Sequence, residues 1–249
     1  MFQLRLPTAV KHLLIINILI FIADFVLQMR DSFDLNSILG LWSLDVPASN
    51  PYGSFHFWQP LTYMFAHGNF THIFFNMYAL WMFGSVMENF WGMRRFLIYY
   101  FACGIGAGLL YLLVPGMHVT IGASGAIYGL LLAFAMNFPK DRVYIFIWMF
   151  VLMGASLVFN SINIPELRQI GVFIDEYSIL LFMLIFYLGQ SGKGLVPIEN
   201  RWFIAIMIAL ELFMGFFIID GVAHFAHLGG MLIGLLLILW WRKHPFSRF

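Results

Sequence analysis

Charge is what this chain has least of. Only 10% of its 249 residues are Asp, Glu, Lys or Arg, against roughly a quarter in an ordinary soluble domain. The formal net charge is +1, and no cluster of Lys or Arg is interleaved with aromatics, so the basic groove that nucleic acid requires is missing. A single cysteine, Cys103, excludes an intramolecular disulfide and a cysteine-built metal cage. There is no His-Glu-x-x-His motif, and no carboxylate accompanies His67, His72, His224 or His227 at ligand spacing, which argues against a zinc enzyme and against any resident metal or cofactor. The soluble-hydrolase nucleophile elbow, Gly-x-Ser-x-Gly, is broken by Ala126 at its last position. Internal repeats and low-complexity tracts are also lacking.

What the chain has instead is apolar length. It is 62% hydrophobic with a mean hydropathy of +0.87, the composition of a polytopic membrane protein. Crossing about 30 Å of hydrocarbon takes roughly 20 helical residues. Eight runs qualify, at about 11–29, 71–91, 96–114, 121–138, 143–160, 171–190, 202–219 and 222–241. The sixth is the weakest, because it contains Asp175 and Glu176. Arg5 and Lys11 precede the first run, but Gln28 to Asp31 offers no small-residue cleavage site, so that run is expected to remain as a span.

Basic residues in short loops set orientation. With a cytoplasmic N-terminus and eight spans, Arg5, Lys11, Arg94, Arg95, Lys140, Arg142, Lys193, Arg201, Arg242, Lys243 and Arg248 all fall inside, eleven of the thirteen. Deleting both the fifth and sixth runs keeps this parity and leaves six spans with an interfacial insert, whereas deleting one puts Arg242 and Lys243 on the wrong side. Both termini are then cytoplasmic, and a bacterial inner membrane is the expected setting. The longest outer loop, about 30–70, carries Phe55, Phe57 and Trp58, which read as interfacial anchors.

Chemistry concentrates in Gly122-Ala123-Ser124-Gly125-Ala126-Ile127-Tyr128-Gly129 and Ala226-His227-Leu228-Gly229-Gly230-Met231-Leu232-Ile233-Gly234. Gly122, Gly125 and Gly129 strip side-chain volume from the serine segment, and Tyr128 shares the face of Ser124 at i+4. His227, Gly230 and Gly234 form one stripe at i, i+3 and i+7. A lone serine in an apolar helix ordinarily packs or bonds back to its own backbone. Two glycine-notched helices, one bearing a serine and one a histidine, point to a catalytic pair. His72 and Asn76, at i and i+4 in the second run, can both donate hydrogen bonds. Acyl transfer needs a nucleophile, a base and oxyanion donors. Ser124, His227 and the His72/Asn76 pair, with the Ser124 backbone N–H, fill these places, all at outer-face helix ends in the topology read from charge.

His72-x-x-x-Asn76, Gly122-x-Ser124-Gly125 and Ala226-His227-x-x-Gly230-x-x-x-Gly234 resemble the motifs of rhomboid intramembrane serine proteases. The resemblance implies an all-α membrane protein with a six-helix rhomboid-like core and a Ser124–His227 dyad without a carboxylate. It gives oxyanion roles to His72 and Asn76, and Tyr128 packs on and orients the base. Glu88 and Gly92 match structural positions near the inner end of the second span. Gln59 follows Trp58 where many relatives carry arginine. The 103 residues between Ser124 and His227 are about twice what a minimal core requires, so 1–249 reads as one integral domain: core at about 55–140 and 196–242, added hydrophobic hairpin at about 141–195. The implied partners are the bilayer and membrane-anchored substrates; oligomeric state stays open. The competing readings are a catalytically silent rhomboid-like binder of membrane clients and a transporter. The transporter would use Asp24 and Glu211, which have no evident cationic partner in the sequence.

Overall fold

The computed structural model describes residues 6–30, 33–114, 119–146, 169–170, 195–217 and 223–244. It is mostly helical. The expected spans at 143–160 and 171–190 fall almost wholly outside the described residues; what is described of them, 143–146, is strand and not helix.

α1, Thr8–Gln28, has no local side chain capping its N-terminus. Glu88 does this work from far along the chain, accepting from the backbone N–H of Ala9 at 2.9 Å and of Val10 at 2.8 Å. An anion among the unpaired N–H groups of a first helical turn is favoured by charge and hydrogen bonding together. Near the other end of α1, buried Asp24 accepts from Gln28 Nε2, Leu35 N and Asn36 Nδ2, each at 2.8 Å. It thereby ties α1 to the short helix α2, Leu35–Leu39.

Strand β1, Leu41–Trp42, pairs antiparallel with β2, Val119–Thr120, with Leu41 opposite Thr120. Between them in sequence lies α3, Gln59–Thr62, whose first residue is fully buried. Gln59 accepts from His56 N at 3.0 Å and Trp42 N at 3.3 Å, and donates to Ser54 O at 3.0 Å and Ile38 O at 3.3 Å. Four bonds to four backbone groups make it the anchor of the long loop, in the place where the resemblance leads one to look for arginine.

The second expected span is one helical run in three parts: α4, Phe70–Ala79, a π turn at Leu80–Gly84, and α5, Ser85–Trp91. Asn69 caps α4 by accepting from His72 N. The run ends at Gly92, whose φ of +79° suits glycine, and α6, Met93–Tyr111, follows directly. α7, Ser124–Asn137, is apolar and buried along most of its length. Strands β3, Arg142–Phe146, and β4, Leu195–Glu199, pair antiparallel. α8, Asn200–Phe217, and α9, His224–Lys243, complete the chain.

The chain divides into two compact units, Met1–Pro139 with Ile204–Phe249, and Lys140–Phe203. In the first, α9 packs most extensively on α7 and α6. Its core includes the fully buried Tyr63, Phe96, Tyr99, Tyr100, Tyr111 and Leu130. Buried hydroxyls need partners: Tyr63 donates to Gly104 O at 2.6 Å and Tyr99 to Gly129 O at 2.9 Å.

Outward faces are apolar as well. Ile15, Ile18, Leu19, Ile22 and Phe25 of α1 are exposed, as are Leu232, Leu236 and Leu239 of α9. Water penalises such belts and lipid does not. Among the described residues, α1 and α9 are long and apolar enough to cross a membrane.

Candidate active site

Ser124 is the first residue of α7, and His227 lies in the first turn of α9. His227 Nε2 stands 2.8 Å from Ser124 Oγ. Two helix N-termini meet here because their glycines let main chain touch main chain. A Cβ on Gly230 would collide with the carbonyl oxygen of Gly125, so any side chain there pushes backbone apart. Gly125 is closed on another side, where its Cβ would lie 2.7 Å from that of Ala107 in α6. Gly234, expected on the same stripe, faces α6 instead: its missing side chain leaves room for the Tyr99 hydroxyl that bonds to Gly129 O.

The Tyr128 ring stacks on the His227 imidazole, centroids 4.2 Å apart and planes 7° from parallel. That limits rotation of the imidazole about its Cβ–Cγ bond. Gly122, with φ of +120°, donates its N–H to Tyr63 O at 2.8 Å. A Cβ there would sit 2.6 Å from His72 Nε2 and 3.7 Å from Ser124 Oγ, so both atoms flank the same small space. Asn76 is buried one turn further along α4, with its amide donating to His72 O at 2.9 Å. One of its two N–H groups is thus turned to its own helix. His67, in the loop before α4, is buried edge-on to the His72 ring at 4.9 Å. Burial first, and the neighbouring His72 second, lower its pKa to about 3, so this histidine is neutral.

A carboxylate stands behind the histidine, where the resemblance implies none. Glu211 of α8 is 4% exposed, and its Oε2 lies 3.0 Å from His227 Nδ1 and 2.7 Å from His224 Nδ1. Glu211 thus has two buried imidazole partners, 13 and 16 residues away in sequence, which local ligand spacing does not reveal. The ligand atoms of Glu211, His224 and His227 lie within 4.8 Å of one another, the one such trio among the described residues. They already satisfy each other by hydrogen bonding. An ionised carboxylate only accepts, so each Nδ1 carries the hydrogen. His227 Nε2 is then left as an acceptor pointing at the serine hydroxyl. In sequence the only sign of Glu211 was a lone acid in an apolar run; its pairing depends on α8 and α9 coming together, which spacing does not encode.

The Rhomboid domain family model matches residues 54–165. That segment holds His72, Asn76, Ser124 and Tyr128. The chain belongs to the rhomboid family. It is 28% identical over 235 residues to the Rhomboid-like protein 11, chloroplastic, of Arabidopsis thaliana, covering 94% of this chain and 65% of that protein. To the Putative rhomboid protease YdcA of Bacillus subtilis it is 38% identical over 74 residues, 29% of this chain and 37% of the relative. To the Rhomboid protease GluP of the same organism it is 31% identical over 145 residues, 56% of this chain and 28% of the relative. The chain therefore spans between about a quarter and two thirds of the length of these curated relatives. Names among the relatives include chloroplastic and mitochondrial ones, so they single out no compartment; the family and the apolar helices speak for a membrane protein.

Proposed function

We propose that this rhomboid-family chain is an intramembrane serine protease that cleaves transmembrane segments of membrane-anchored proteins near the outer face. The observation that carries the reading is the 2.8 Å contact between His227 Nε2 and Ser124 Oγ. In the proposed reaction Nε2 takes the hydroxyl proton as Oγ attacks the scissile carbonyl carbon. The carbonyl oxygen becomes an oxyanion held by the Ser124 backbone N–H, His72 and the free N–H of Asn76. Ser124 N sits in the first turn of α7, where backbone N–H groups lack intrahelical acceptors and the helix dipole favours negative charge. The protonated His227 then gives its proton to the departing amine nitrogen, and water repeats the sequence on the acyl-serine. No metal or cofactor takes part.

Support for the serine as nucleophile comes from its surroundings: it is partly buried, hydrogen-bonded to a base, and beside the small gap at Gly122 that His72 Nε2 also borders. Hydrolysis needs water, so this space would open toward the outer side, with both termini cytoplasmic and the core taken as 55–140 and 196–242. A regular helix hides its carbonyls in its own hydrogen bonds, so a substrate would unwind locally to enter. Relatives named as proteases favour this over the silent, client-binding reading. The test is labelling with a fluorophosphonate serine probe and cleavage of a model transmembrane substrate, wild type beside Ser124→Ala. Labelling and cleavage should both vanish while the protein stays folded in detergent. Undiminished cleavage in Ser124→Ala removes the serine mechanism; a wild type that neither labels nor cleaves leaves the silent binder.

A further inference from the structure

The catalytic reading above uses Ser124 and His227 and leaves Glu211 without a task. A carboxylate at 4% exposure is costly to bury unless its oxygens are engaged. Here the engagement is specific. Oε2 receives both Nδ1 hydrogens, from His227 at 3.0 Å and His224 at 2.7 Å. Ser124 Oγ, His227 Nε2, His227 Nδ1 and Glu211 Oε2 therefore form an unbroken chain of two hydrogen bonds through one imidazole.

We propose that Glu211 is the positioning residue of a Ser124–His227–Glu211 triad. Resting on the proteolytic reading, the proposal adds to it that the site is not a dyad. Glu211 holds His227 in the Nδ1–H tautomer, so that Nε2 is free to take the serine proton, and its charge stabilises the imidazolium formed as the proton arrives. No proton moves to Glu211, which stays ionised throughout. His224 holds the carboxylate in turn by donating to Oε2 across from His227, while Tyr128 stacks on the imidazole and fixes its plane. This assigns a job to His224, which lies 6.1 Å from His227 centroid to centroid with its ring near perpendicular. It braces the acid and does not touch the reacting atoms.

The decisive variant is Glu211→Gln, which keeps the shape and loses the charge. Turnover of a model transmembrane substrate should fall roughly 10²- to 10⁴-fold in kcat, the range for neutralising such an acid, while KM stays within about twofold. Fluorophosphonate labelling should slow by a similar factor, and Glu211→Asp should recover part of the loss. Wild-type kcat and labelling in a folded Glu211→Gln protein would overturn the triad while leaving Ser124 and His227 in place; retained cleavage in Ser124→Ala would remove the proteolytic reading itself. Should the Gln variant not fold, the measurement moves to Ser124→Ala protein with isotope-labelled histidine. A strongly downfield Nδ1–H proton resonance that disappears on adding His227→Ala is the expected signature, and its absence overturns the proposal. Stoichiometric zinc in the purified protein, lost in Glu211→Gln, would also overturn it by making the carboxylate a ligand.

Discussion

Three buried acids sit among the described helices, and they are used in two ways. Glu88 and Asp24, at opposite ends of α1, accept from backbone N–H groups and amides. Those donors have one state, so each acid closes a structural gap and nothing more. Glu211 accepts from two imidazoles, rings that carry a second nitrogen, and that of His227 faces the Ser124 hydroxyl. The same carboxylate chemistry thus staples α1 in one region and, at the α7–α9 junction, is coupled to a serine. Burial alone does not set these three acids apart; the kind of donor each one holds does.

That contrast can be broken at three places, beginning with the largest effect. Gly230→Leu should abolish cleavage and lower stability by 1–3 kcal/mol or more, since the added side chain drives into the Gly125 carbonyl and not into a yielding side chain. Substrate cleavage and a thermal melt in detergent measure this, and wild-type activity would mean that the α7–α9 approach does not set the Ser124–His227 contact. Glu88→Ala should cost about 1–3 kcal/mol by orphaning the N–H groups of Ala9 and Val10. Its kcat should hold, and a loss of kcat at full stability would place Glu88 with Glu211. Asp24→Asn should do least, about 1 kcal/mol, because an amide oxygen can keep part of the set of three donors. A fall in labelling rate in that variant would erase the distinction between the two regions.

Much of the junction is legible in residue order. Ser124 and His227 stand out because a serine and a histidine each sit beside glycine gaps at helical spacing, and the main chain does approach at Gly125 and Gly230. Helix existence follows from apolar length, so α1, α6, α7 and α9 fall close to the runs read for them. What escapes is whatever depends on elements meeting from distant parts of the chain. Gly234 shares the stripe of Gly230 yet answers to Tyr99, because α9 lies against two helices at once. Glu211 reads as an isolated acid until α8 is brought to α9. Gln59 is an unremarkable polar residue until four backbone groups converge on it.

The π turn at Leu80–Gly84 lies between His72 and Asn76 on one side and Glu88 on the other. A π turn holds one residue more than an α turn needs, and one residue corresponds to about 100° of helical azimuth. The two halves of this run are therefore phased independently: the half facing the serine and the half stapling α1 each keep their own side toward the protein, with the extra residue absorbing the mismatch. Removing that residue would leave a smoother helix that could satisfy one of its two appointments and would turn the other toward lipid.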